Sequence, residues 1–270
     1  MRREYPGSDG KSVILWDLAE RKELAPIRND AALKDYLLSP DGKVIVTLDK
    51  DSQRVRAWDA ASQKQLAMFE RTTNRQVGTG EADPEERSTV LALTPNGKFF
   101  AFSASEEVRL WETRSTQEPI LLGRHEMGVS ALAFSADGKL LASGDETGVV
   151  KVWDTTTHGE LSTFRGHKDA VTVLAFSPDG RALASGGSTV KLYAKASMRE
   201  LITLTHEPSP TSDIHASQGG EDTISDLYFS ADSKSLITLS GNNVLRLWRG
   251  ANDATRCRPR GASHGSSSSC

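Results

Sequence analysis

The chain has 270 residues, 37% hydrophobic and 26% charged, with 22 Gly and 10 Pro, a globular composition that excludes a wholly disordered, collagen-like or coiled-coil chain. Lys and Arg (33) nearly balance Asp and Glu (36), leaving a formal net charge of −3, so no overall field draws the chain to nucleic acid or a membrane. No apolar run is long enough to cross a bilayer. The basic start has no apolar stretch behind it, and only Cys257 and Cys270 could form a disulfide, which points to a reducing cytoplasm.

A repeated unit runs along the chain. A short alternating run ends in an aromatic residue at Trp16-Asp17, Trp58-Asp59, Trp111-Glu112, Trp153-Asp154, Tyr193-Ala194 and Trp248-Arg249. Five of these runs follow a turn: Ser39-Pro-Asp-Gly42, Thr94-Pro-Asn-Gly97, Ser135-Ala-Asp-Gly138, Ser177-Pro-Asp-Gly180 and Ser230-Ala-Asp-Ser233. Pro presets φ at the second position of such a turn and Gly suits its end. An alternating strand such as Val171–Ser177 precedes the turn. A small apolar strand such as Leu140–Gly144 follows it, and its small residues let neighbouring sheets approach closely. The aromatic strand is third, and a fourth follows at Gln65–Phe69, Pro119–Leu122, Glu160–Phe164 and Glu200–Leu204. Four short strands every 40 or so residues predict the blades of an all-β propeller.

In chain order, residues 8–27 read as a partial blade, with strands at Val13–Trp16 and Glu23–Ile27 and its front half absent. Complete blades are expected at about 31–70, 88–124, 129–166 and 171–204, and a three-stranded one at 224–249. The propeller thus spans 1–249, and 250–270 reads as an Arg/Ser-rich disordered tail. Five to six blades are visible, as expected of a divergent ring or of an incomplete or truncated seven-blade ring.

These units resemble WD40 repeats, of the kind with Ser-Pro-Asp-Gly turns found in bacterial members. The resemblance covers roughly residues 8–249 and is clearest from Arg124-His125 to Trp153-Asp154. It implies a buried tetrad in each blade: a His before the first strand, a Ser or Thr on the second, an Asp six residues before the Trp, and the Trp. That Asp position holds Gly10, Ser52, Ser105, Thr147, Gly187 and Asn242, so no unit is expected to carry the full set. Trp16, Trp58, Trp111, Trp153, Trp248, His125 and His167 are expected to be structural.

Two insertions, Arg71–Arg87 and Thr205–Thr223, join the fourth strand of one blade to the first of the next. Long polar loops on a rigid scaffold are candidate partner-binding segments. Counting four back from the turn Ser or Thr gives Asp35, Val90, Ala131, Val173 and Asp226. Two blades thus place a carboxylate on the innermost strand, where it could meet a basic segment of a partner.

No catalytic constellation emerges. Gly10-Lys11-Ser12 lacks the upstream Gly of a phosphate loop and opens a strand. His206, Asp213 and His215 sit in an insertion with no rigid ligand spacing, and Arg256, Arg258 and Arg260 have no aromatic interleaving. No catalytic residue, cofactor or metal site is expected. The expected role is a non-catalytic scaffold for other proteins or peptides, with no nucleic acid, membrane or small-molecule substrate. The alternative is the sensor or regulatory propeller of a larger kinase or nucleotide hydrolase.

Overall fold

The computed structural model describes residues 4–6, 10–17, 19–50, 54–70, 89–115, 117–205, 223–241 and 243–249. The tail and nearly all of both insertions lie outside these residues. The described residues form six antiparallel sheets and contain no helix. The first sheet holds β1 (Glu4–Pro6), β2 (Ser12–Asp17), β3 (Lys22–Glu23) and β4 (Ile27–Arg28). The second holds β5 (Leu33–Leu38), β6 (Val44–Asp49), β7 (Arg54–Asp59) and β8 (Gln65–Glu70). The third holds β9 (Leu91–Leu93), β10 (Phe99–Ala104), β11 (Glu107–Glu112) and β12 (Ile120–Arg124). The fourth holds β13 (Val129–Phe134), β14 (Leu140–Asp145), β15 (Val149–Asp154) and β16 (Glu160–Arg165). The fifth holds β17 (Val173–Phe176), β18 (Ala182–Gly186), β19 (Val190–Ala194) and β20 (Arg199–Leu204). The sixth holds β21 (Ile224–Phe229), β22 (Ser235–Ser240) and β23 (Leu245–Arg249). From the second sheet on, each strand pairs with the next in sequence.

The first sheet differs from the expected half-blade. A front strand does exist: β1 pairs with β2 through Tyr5 and Ile14. It is short and ends at Pro6, which removes a ladder donor.

The recurring turn works through its first side chain. The Ser39, Ser135, Ser177 and Ser230 hydroxyls each donate to the turn Asp at 2.6 Å. Each also accepts the amide that opens the second strand, at 2.9 Å. The turn is thereby closed from both sides. The Asp of Trp-Asp does a second local job: Asp59 and Asp154 each accept the amides two and three residues on, fixing the turn to the fourth strand. These bonds hold both carboxyls below the usual range.

The sheets stack in series, and one core cluster fills each gap. From the second sheet on, the Trp or Tyr face packs on the sheet before it. Trp58 meets Val13, Leu15 and Ile27, and Trp111 meets Val46 and Leu48. Trp153 meets Ala101 and Val108, Tyr193 meets Ala142 and Val150, and Trp248 meets Ala184 and Val190. The small strands explain the close approach. A Cβ on Gly144 would lie 2.5 Å from Val171, and one on Gly123 would lie 2.6 Å from the Trp153 ring. Hydroxyls tie the inner strands across the gaps: Ser130 donates to the Val171 carbonyl, and Thr172 to that of Ile224.

Candidate protein-interaction surface

The connections between the fourth strand of one sheet and the first of the next share one rim of the stack. His125 and His167 lie in two of these connections, and the insertions 71–87 and 205–223 fall in two others. What fixes that rim decides whether the loops on it are presented rigidly.

In the fourth sheet the fixing network is complete. His125 Nδ1 lies 2.9 Å from Asp145 Oδ2, and its Nε2 lies 2.7 Å from Ser143 Oγ. The Trp153 indole donates to Ser143 Oγ at 2.8 Å. Asp145 Oδ1 also accepts from the Thr147 amide, the Thr147 hydroxyl and the Val149 amide. The ionised carboxylate can only accept, so Nδ1 carries the proton and the bare Nε2 accepts from Ser143. The full set therefore exists here, against the expectation that no unit carries it. The carboxylate comes from the end of the second strand, not from the turn six residues before the Trp.

Other sheets carry partial or altered versions. In the second sheet, Trp58 donates to Thr47 at 2.9 Å. Asn29 stands in place of the His, donating to Asp49 at 2.7 Å, and the buried Arg56 bonds Asn29, Asp49 and Asp30. In the fifth, His167 Nε2 lies 2.6 Å from Ser185. Gly187 stands where Asp145 would be, and His167 Nδ1 has no hydrogen-bond partner among the described residues. A side chain at 187 would meet the Ala170 carbonyl 2.7 Å away. In the third, Phe102 takes the position of Ser143, and the buried Trp111 indole N–H has no partner among the described residues. In the sixth, Trp248 donates to Thr238 at 3.1 Å.

Burial holds both histidines neutral. It lowers His125 despite the adjacent Asp145 carboxylate, and lowers His167 to about 4 with help from the Lys191 charge. Burial alone would raise Asp145, but the bonds from Val149, Thr147 and His125 outweigh it and hold its carboxyl low. The sign of the pH effect follows. Between about pH 6.5 and pH 4 the unfolded chain binds protons that the folded histidines refuse, so stability rises with pH across that window. Melting temperature is expected to fall as pH drops from 7 to 5, and His167→Gln to flatten part of that slope. An unchanged slope in the variant would contradict this assignment.

Asp35 and Asp226 occupy equivalent places, each just past a register shift on its innermost strand. Asp35 is exposed and accepts its neighbour Tyr36's amide at 2.7 Å. Asp226 is half-buried and accepts from the Tyr228 hydroxyl at 3.2 Å. No hydrogen bond or ion pair joins the two among the described residues. Of the insertions, only Thr205 and Thr223 are described. Trp16 is the most exposed of the five tryptophans, and Trp153 is nearly enclosed.

Sequence reasoning missed Asp49, Asp145, Asn29 and Arg56. The usable signal is the count from the turn: Asp49 and Asp145 each lie ten residues after Ser39 and Ser135. A cleft of about 380 Å³ between the third and fourth sheets also escaped it, lined by Lys98, Phe99, Glu118 and Ile120 among others. Among the described residues no three His, Cys, Asp or Glu could hold a metal ion, and no helix is long and apolar enough to cross a membrane.

The family model described as WD domain, G-beta repeat matches residues 118–154 and 159–193. Residues 118–154 and 159–193 are thus similar to WD40 repeats, and the antiparallel sheets are arranged as the blades of a propeller. Each matched stretch begins before the fourth strand of one sheet and ends at the third strand of the next, so consecutive sheets are interlocked by sequence. Eukaryotic translation initiation factor 3 subunit I of Culex quinquefasciatus is 28% identical over 156 residues, covering 53% of this chain and 44% of that protein. The proteins of the same name in Drosophila ananassae and Drosophila melanogaster are 28% identical over 157 residues, with 46% and 45% of their lengths covered. The chain spans less than half the length of these curated relatives.

Proposed function

We propose that this WD40-repeat chain is a non-catalytic scaffold that holds other proteins or peptides. The observation that carries the reading is the rim network of the second, fourth and fifth sheets. It ties each strand-to-strand connection to the core through buried hydrogen bonds, and so supports a rigid face for loops. The similarity to initiation-factor subunits supports a place within a multi-subunit protein assembly. Asp35, Asp226 and the insertions 71–87 and 205–223 are the partner-contacting groups of this reading. Catalysis, cofactor, metal, nucleic acid, membrane surface and small-molecule substrate have no part in it. A cytoplasmic setting accords with the absence of cysteine from residues 1–256.

The test is capture by chemical cross-linking with the 270-residue chain as bait, beside an Asp35→Asn/Asp226→Asn variant. One or a few stoichiometric protein partners are expected, recovered at least severalfold less well by the variant. Turnover of a small molecule, abolished by the same substitutions, would overturn the reading.

A further inference from the structure

The turn from the third strand to the fourth places a left-handed residue at one recurring position. Gln63, His158 and Met198 have φ of 58°, 61° and 49°, and each amide donates to the carbonyl four residues back. Two of these side chains close the gap to the preceding sheet. Gln63 Nε2 donates to the Ala25 carbonyl beside the first sheet at 2.6 Å, and Met198 packs into the core between the fourth and fifth sheets. The space left beside Met198 is about 10 Å³.

Between the third and fourth sheets the same position is His158, and a cleft of about 380 Å³ stays open there, with Phe99, Leu110 and Ile120 as its apolar lining. That volume lies within the range of about 300–1,000 Å³ typical of ligand sites. Both sheets have a neighbouring sheet on each side, so the cleft does not depend on either end of the chain. Its charges are unequal. Two carboxylates, Glu112 and Glu118, accompany one ammonium, Lys98. Lys98 Nζ lies 4.8 Å from the Phe99 ring centroid and 3.9 Å from Glu112, and both charges of the pair are about half exposed. Glu118 has no ion-pair or hydrogen-bond partner among the described residues. The Phe99 face thus already holds a cation, but through an exposed, long ion pair that binds weakly.

We propose that this cleft takes an arginine side chain of a partner peptide. Its stem lies along Phe99, and its guanidinium sits between Glu112 and Glu118 in place of the Lys98 ammonium. A guanidinium stacks on a ring and pairs with carboxylates in a fixed fork, which a point charge does not. Ile120, 42% exposed, offers apolar cover to a neighbouring residue of the peptide. The inference rests on the scaffold reading only in taking a peptide as the ligand.

NMR titration of the full chain with acetyl-Leu-Arg-Leu-amide tests it. Saturable shifts are expected at Ile120, Thr155 and Thr156. The citrulline analogue, which keeps the shape without the charge, should bind roughly tenfold more weakly, as should free arginine. Glu118→Gln should weaken the arginine peptide severalfold. His158→Met should abolish binding, since Met198 shows that this turn accepts methionine and closes the gap with it. Lys98→Ala removes the competing ammonium and should tighten binding about twofold, which loss of a merely structural lysine would not do. Unchanged melting establishes that the variants fold, and Glu112→Gln/Glu118→Gln is the second test of the charge pairing. Shifts that do not saturate, equal binding of the citrulline peptide or free arginine, or undiminished binding by His158→Met would overturn the proposal. The titration uses no cellular partner and leaves Asp35 and Asp226 unchanged, so its outcome is independent of the capture experiment.

Discussion

Asp145→Ala is expected to destabilise the chain by about 3–5 kcal/mol. The carboxylate satisfies His125 Nδ1, the amides of Thr147 and Val149, and the Thr147 hydroxyl. Its loss leaves several buried donors without acceptors, at about 1–3 kcal/mol for each one that water cannot reach. Thr147's groups are nearer the surface and recover part of their loss from solvent. His125 then lacks the partner that sets its tautomer, so the bond to Ser143 weakens as well. Asp145→Asn retains one acceptor oxygen and should cost roughly half as much. The equivalent Gly187 predicts a contrast. The His167 network already lacks this carboxylate, so Ser185→Ala should cost less than Ser143→Ala, which leaves both His125 and the Trp153 indole unsatisfied. Urea unfolding of the four variants checks the order. A loss below about 1 kcal/mol for Asp145→Ala would mean that the tetrad does not anchor the rim.

Gly148→Ala should be nearly as damaging, at about 3–4 kcal/mol, for a different reason. Gly148 has φ +87°, a region that costs an L-residue about 1–2 kcal/mol. A Cβ there would also lie 2.7 Å from the carbonyl oxygens of His167 and Asp169. These are backbone atoms of the connection into the fifth sheet and cannot rotate away, so the chain itself must shift, for about 1–3 kcal/mol more. Gly10 provides the control. Its φ is +64°, but an added Cβ meets nothing within 4 Å. Gly10→Ala should therefore cost only the conformational part, about 1–2 kcal/mol. Equal losses at the two positions in thermal unfolding would contradict the steric argument.

Features built from neighbouring residues were legible in the sequence. The turn serines announce themselves because Ser39, Ser135, Ser177 and Ser230 act on residues two and five positions away. The stacking aromatics were legible because alternation fixes which face each one takes. The tetrad carboxylate was not, because it was counted back from the Trp across a turn of varying length. Asp49 lies nine residues before Trp58, but Asp145 lies eight before Trp153. Counted forward from the turn Ser, along a paired hairpin, the spacing is constant. The Asn29–Asp49–Arg56 substitute draws on three segments and has no local signature. Strand β1 was missed because three residues ending in Pro carry almost no periodicity. The exposure of Trp16 was hidden for the opposite reason: its motif is intact, and only its neighbour in space differs.

Amide hydrogen exchange on the intact chain tests most directly whether the six sheets form one stacked platform. Protection reports which strands open together. The second strands of the second to sixth sheets, Val44–Asp49, Phe99–Ala104, Leu140–Asp145, Ala182–Gly186 and Ser235–Ser240, should exchange slowly and open with similar free energies. Each is clamped between two cores or closes the last of them. Slow exchange confined to residues 129–204, with the other sheets exchanging freely, would contradict a single rigid platform and leave only a two-blade island.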